Sequence, residues 1–378
     1  LQTPILLLGS LIILVLGFKE LGGWDEMMRV CGAVTVNDYG DTMTNLIRSN
    51  DDANFPWLGA LIGSAIIGFW YWCTDQFIVQ RVLSGKNEME ARRGTIFGAY
   101  LKLLPVFLFL IPGMIAFALH QKYIGAGGEG FLPMLENGTA NADAAFPTLV
   151  AKLLPAGVKG LVVCGILAAL MSSLASLFNS SAMLFTIDFY KRFRPQTSEK
   201  KLVGIGQVAT VVIVILGILW IPIMRSVGDV LYTYLQDVQS VLAPGIAAAF
   251  LLGICWKRTS AQGGMWGLIS GMVIGLTRLG AKVYYSNAGE VADSTFKYLF
   301  YDMNWLFFCG WMFLFCIIVV IVVSLATEAP TAEKIQGLVF GTATKEQKAS
   351  TRASWNHWDI IHTVIILAIT GAFYWYFW

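Results

Sequence analysis

Apolar runs of about twenty residues, long enough to cross a bilayer, recur along the whole chain, and the stretches between them hold most of its charge. The pattern predicts about nine helical spans, over residues 4–21, 57–78, 96–119, 160–187, 203–224, 230–255, 264–281, 304–325 and 360–378. Four connections are basic. They carry Arg81, Lys86, Arg92 and Arg93; Lys191, Arg192, Arg194, Lys200 and Lys201; Lys257 and Arg258; and Lys334, Lys345, Lys348 and Arg352. They alternate with acidic or neutral connections, so the positive-inside rule places them in the cytoplasm, with the N-terminus inside and the C-terminus outside. The connections over 22–56, 121–146 and 282–303 fall on the other side and are enriched in Gly, Asn and Asp, as loops are. One of them holds Asn137-Gly138-Thr139, a formal glycosylation sequon that has meaning only in a eukaryote.

Composition sharpens this picture. Of 378 residues, 56% are hydrophobic and 13% charged, with a mean hydropathy of +0.65, which is the signature of a polytopic membrane protein and excludes a soluble domain. The formal net charge is only +2 and no basic stripe marks a nucleic-acid surface. The six cysteines follow no metal-type spacing; Cys73, Cys164, Cys255, Cys309 and Cys316 lie in apolar segments, where an inert thiol is the default. An intramembrane enzyme needs a nucleophile with a base or a metal set, and His120, His357 and His362 fall near span ends without clustering.

Within the apolar run 161–185 lies a seam of hydroxyls, Ala169-Leu170-Met171-Ser172-Ser173. Ser172 and Ser173 follow Ala169 by three and four residues, so their hydroxyls lie over the turn that the Ala169 carbonyl faces. Three converging neutral oxygens suit a hard monovalent cation such as sodium. The competing reading is that each hydroxyl bonds to a carbonyl one turn back, or that small residues simply let helices approach.

Other stretches place polar groups at membrane depth, where they are costly. In Phe69-Trp70-Tyr71-Trp72-Cys73-Thr74-Asp75-Gln76 an aromatic run gives way to polar residues before the span has ended, which predicts a broken helix; the aromatics suit either an interfacial belt or stacking on a sugar ring. Lys102, in Leu101-Lys102-Leu103-Leu104-Pro105, either snorkels or donates to a ligand. Gln236 lies early in a span that Pro244-Gly245 interrupts; its amide donates and accepts, so it suits a neutral hydroxyl-rich ligand as well as an interhelical bond.

The runs 69–81, 101–105 and 170–174, with Pro112-Gly113-Met114-Ile115, Phe178-Asn179-Ser180-Ser181 and Trp256-Lys257-Arg258, resemble the sodium/glucose cotransporters within the solute:sodium symporters, and the similarity covers essentially the whole chain. The resemblance implies a LeuT-type inverted-repeat fold that is all-α and polytopic, with ligands at broken helices near the midplane. By this resemblance, Ala169 through its carbonyl and Ser172 and Ser173 through their hydroxyls bind sodium. Tyr71, with its neighbour Trp72, closes the sugar site toward the cytoplasm, and Lys102 and Gln236 bond sugar hydroxyls. Departures from the family are Gly68, where relatives place Thr or Asn, Thr233 in place of a common Asp, and Asp237 in place of Ser.

The same resemblance implies a layout. Residues 1–21 would be the last helix of the first repeat, 22–56 an extracellular loop, and 57–255 the second repeat of five spans, two of them broken. Two peripheral spans over 256–326, a cytoplasmic loop over 327–358 and a C-terminal span over 359–378 would follow. The sequence would thus begin at the fifth core helix, as the C-terminal portion of a transporter. The implied activity is sodium-coupled symport of a glucose- or galactose-like neutral sugar across the plasma membrane. Sodium/myo-inositol or another solute symporter, or an ion channel lined by hydroxyls, are the alternatives.

Overall fold

In the computed structural model, which describes residues 2–135, 138–227, 231–288 and 292–378, the chain is all-helical. Among these residues extended pairing is limited to isolated bridges such as Thr35 with Thr42. Asn137 of the sequon lies outside the described residues, as does Val230 at the head of its predicted span.

The principal helices are α1 (Gln2–Leu21), α2 (Trp24–Gly32), α3 (Trp57–Cys73), α4 (Gln76–Leu83), α5 (Glu88–Pro105), α6 (Ile111–Gly125), α7 (Ala145–Leu153), α8 (Ala156–Met183), α9 (Glu199–Val227), α10 (Leu231–Cys255), α11 (Ala261–Asn287), α12 (Trp305–Ala326), α13 (Lys345–Ala353) and α14 (His357–Tyr376). A wider π-helical stretch, Val106–Leu110, joins α5 to α6 just after Pro105, whose missing N–H removes a rung of the ordinary ladder. Helices cover all nine predicted spans. Seven pass a length-and-hydropathy test for crossing a membrane, and the bent pair α3–α4 makes an eighth. The ninth, α11, falls short of that test.

The chain divides into two compact units. The first comprises Leu1–Leu46, Phe97–Ile221 and Ile366–Trp378. Its core joins α1, α2, α6, α7 and α8 through Ile13, Met27, Ile115, Leu119, Leu149 and Val162, all essentially buried. Close approach depends on glycine. A Cβ on Gly9 would stand 2.3 Å from a Val162 methyl, and one on Gly17 would stand 2.8 Å from Ile115. Buried His120 accepts the Leu132 N–H on Nδ1 at 3.0 Å, and at the surface the Lys122 ammonium donates to the Glu20 and Leu21 carbonyls at the end of α1.

The second unit comprises Ile47–Ile96 and Pro222–Ile365, built on α3, α10, α11 and α12. Here α11 presents Gly263, Gly267, Gly271 and Gly275 at four-residue intervals, all buried. The Gly271 position meets the Gly245 backbone of α10, Gly267 meets Val320 of α12, and Gly275 meets the Val241 carbonyl. The glycines that lower the mean hydropathy of α11 are therefore what seat it between its neighbours. Pro244-Gly245 does not interrupt α10, contrary to the expectation from sequence; the helix runs on from Leu231 to Cys255 with Pro244 buried inside it. The break predicted after the aromatic run is present: α3 and α4 meet at a 50° bend.

Two connections expected as loops contain helices. α2 lies within 22–56, and α13 within 327–358 starts at a capping box in which Thr344 and Gln347 bond each other's backbone.

Candidate functional site

The buried stripe of α8 starts at Val162 and Gly165, which face Gly9 and Ile5 of α1. Helical periodicity carries the same side through Ala169, Ser173, Ser176 and Ser180, with Ser172 at its edge. Ala169 is half-buried, whereas Ser172 and Ser173 are exposed. The alternative of hydroxyl back-bonding is realised further along: Ser176 Oγ donates to the Ser172 carbonyl at 3.1 Å, and Ser180 Oγ to the Ser176 carbonyl at 2.9 Å. Among the described residues, Ser172 and Ser173 make no such bond. Two hydroxyls and the Ala169 carbonyl thus share the stretch of α8 in which this stripe is least covered.

Tyr71 and Trp72 close α3. Their rings meet edge to face at 5.4 Å between centroids; Tyr71 is half-buried and Trp72 is 43% exposed. The chain turns directly after them. Thr74 Oγ1 donates to the Trp70 carbonyl at 2.7 Å, and Asp75 caps α4 by accepting the Phe77 N–H at 3.0 Å. The aromatic pair therefore sits at the lip of a helix break whose backbone ends are satisfied by short polar side chains. Gln236 is half-buried in the second turn of α10, in the same unit as the aromatic pair. Lys102 belongs to the other unit, where it is exposed near the end of α5.

Next to Gln236 is a cluster that sequence reasoning missed. Arg278 of α11 is 0% exposed. Its Nη2 donates to Asp237 Oδ1 at 3.3 Å and to the Met303 carbonyl at 2.7 Å, Nη1 donates to the Leu299 carbonyl at 3.3 Å, and the guanidinium lies 4.1 Å from the centroid of Phe308. Lys282, one turn further along α11, reaches Asp237 Oδ2 at 3.4 Å. One carboxylate on α10 is thereby shared by two cations at i and i+4 on α11, and the arginine also ties the segment leading into α12. The available sequence signal was an Arg–Lys pair one turn apart beside a span carrying an acid.

Among the described residues, no group of three or more His, Cys, Asp or Glu side chains could hold a metal ion. Comparison with known proteins decides the family. The model of the sodium:solute symporter family matches residues 1–271.

The chain belongs to the sodium:solute symporter family.

It is 35% identical over 404 residues to the sodium/mannose cotransporter of Bos taurus, covering 100% of this chain and 67% of that protein. It is also 36% identical to sodium/myo-inositol cotransporter 2 of Homo sapiens over 90% of this chain, and 38% identical to sodium/glucose cotransporter 1 of Ovis aries over 87%. It spans 52% of the length of each of the latter two. Membership makes the chain part of a multi-pass membrane protein of the transporter class, with the all-helical architecture described above.

Proposed function

We propose that the full-length protein is a sodium-coupled symporter that carries a neutral, hydroxyl-rich solute, a hexose or a polyol, into the cell by alternating access. In this reading sodium is cargo held by the Ala169 carbonyl and the Ser172 and Ser173 hydroxyls. The observation that carries it is the contrast along α8: Ser176 and Ser180 spend their hydroxyls on the helix backbone, while the pair beside Ala169 keeps two neutral oxygens uncommitted. The solute would be bonded by Gln236 and bounded by Tyr71 and Trp72 at the α3–α4 break; Lys102 belongs to the other unit and is a donor by family resemblance alone. An amide both donates and accepts, which matches hydroxyl groups that do the same. In this reading the basic connections lie in the cytoplasm and the C-terminus outside, as the positive-inside rule supports, with the plasma membrane as the site of action.

The family and the names of its relatives support sodium and sugar or polyol as cargo. The test is uptake of a panel of radiolabelled hexoses and inositols by the full-length protein, with and without sodium. Sodium-dependent, saturable uptake of one class is expected, and Ser173→Ala should weaken its sodium dependence while leaving expression intact. Sodium current that needs no solute would favour a channel, and unchanged sodium dependence in the variant would remove Ser173 from the ion site.

A further inference from the structure

The second unit contains a crevice of about 700 Å³ between the first turns of α5 and α14, closed by the ends of α4 and α13. Nothing in the transport reading uses it. Its polar and apolar groups are ordered. Along one face of α5, Glu88, Arg92 and Ile96 follow each other at four-residue intervals, about 6 Å apart along the axis. On α14 the wall formed by Ile360 and Val364 continues the apolar end, and Trp355 stands beside it, 39% exposed. Charge therefore lies at one end of the crevice and hydrocarbon at the other, with α5 and α14 both running from this end into membrane-spanning stretches.

The charged groups differ in how far they are committed. Asp359 is buried and accepts the Asn356 N–H at 2.8 Å, so its carboxylate is occupied by its own turn. Arg92 donates through Nη2 to Ser354 Oγ at 3.1 Å, while its Nε is buried and has no partner among the described residues. A buried guanidinium N–H without an acceptor is costly, and a phosphate oxygen is the acceptor a guanidinium matches best. Glu88, one turn outward from Arg92 in the first turn of α5, would face the group attached beyond that phosphate.

We propose that this crevice is a binding site for one zwitterionic aminophospholipid. The phosphate would bond Arg92, and the ammonium two carbons away would meet Glu88. The glycerol region would lie by Trp355, and an acyl chain would run over Ile96, Ile360 and Val364. The order of groups along α5, acid then base then hydrocarbon, matches the order of groups in such a lipid. Trp355 at the boundary fits the preference of indole for the interface. An anionic lipid lacking the amine would satisfy Arg92 but would place its negative headgroup against Glu88.

The test uses full-length protein, delipidated in detergent and titrated with phosphatidylethanolamine or phosphatidylglycerol under native mass spectrometry. One phosphatidylethanolamine should be retained in preference to phosphatidylglycerol. Arg92→Gln should weaken its retention at least tenfold, and Glu88→Gln should reverse the preference toward phosphatidylglycerol. Val364→Trp, which fills the apolar end without touching the charges, should also expel the lipid, and thermal melting checks that each variant is folded. Equal retention by wild type and folded Arg92→Gln would overturn the site. Preference of the wild type for phosphatidylglycerol would overturn the role of Glu88 and with it the zwitterionic assignment. Displacement by an equal concentration of glycerophosphoethanolamine would overturn the lipid in favour of a soluble phosphate ester.

Discussion

Replacing Arg278 with Met is the sharpest test of the packing around Gln236. Methionine keeps much of the aliphatic volume and can still lie against Phe308, but every donor is lost. The Leu299 and Met303 carbonyls then face a side chain that cannot bond them, and Asp237, whose side chain is only 14% exposed, is left with Lys282 at 3.4 Å. Removing one partner of a buried pair costs about 3–5 kcal/mol when the other charge is stranded. Lys282 remains as a counter-charge, so the lower end, about 3 kcal/mol, is the better figure for this site. At roughly 2–4 °C per kcal/mol for a unit of this size, the apparent melting temperature of the detergent-solubilised protein should fall by about 6–12 °C. Arg278→Met/Asp237→Asn removes both charges and should recover at least ~1 kcal/mol of that loss, because the stranded carboxylate is gone. The assay is a double-mutant cycle read by thermal melting. An Arg278→Met protein melting within about 2 °C of wild type would refute the reasoning, as would a double variant no more stable than the sum of the singles.

Gly275→Ala should destabilise strongly, since its Cβ would stand 2.4 Å from the Val241 carbonyl oxygen, whereas Gly280→Ala, with nothing within 4 Å, should be silent; equal melting temperatures would show that α11 does not sit where it is described. Asp75→Ala removes the cap of α4 and should cost about 1 kcal/mol, with Asp75→Asn retaining most of it. If both variants melt like wild type, the cap contributes nothing to the bend. Gln236→Glu keeps the shape but replaces two donors with a charge, so solute affinity should fall while melting stays close to wild type; an unchanged KM would return Gln236 to a purely interhelical role.

Much of the fold was legible because length and apolarity are enough to define a spanning helix. The α3–α4 break was legible for a local reason: Thr74 and Asp75 are residues whose side chains bond nearby backbone and so end helices. Pro244 misled for the complementary reason. A proline breaks a helix only where its surroundings cannot absorb the lost bond, and here the interruption is buried among α10's neighbours. For α11 the glycines that mattered for packing diluted the hydropathy signal on which the span was read. The serine pair was singled out from spacing, but spacing cannot separate Ser173 from Ser180; what does is that Ser180 donates to a carbonyl of its own helix and Ser173 does not. Arg278 and Lys282 stand one turn apart in the sequence, but the carboxylate that gives the pair its meaning is 41 residues from Arg278 in the chain. Which acid such a pair meets on another helix is a tertiary fact that the local pattern leaves open.

The touching backbones of Gly245 and Gly271 have a mechanical consequence. Where two helices meet with only hydrogen atoms between them, neither can slide or roll without climbing over the other's main chain, since packed interiors have no slack to give. The helix that carries Gln236 is held in this way near its middle by glycine contact and near its start by the Arg278 guanidinium on Asp237. Any displacement of that glutamine during a transport cycle is therefore a displacement of α10, α11 and α12 together. The two outer helices stiffen α10 as flanges stiffen a beam, so that it moves as a rigid body with them rather than bending alone.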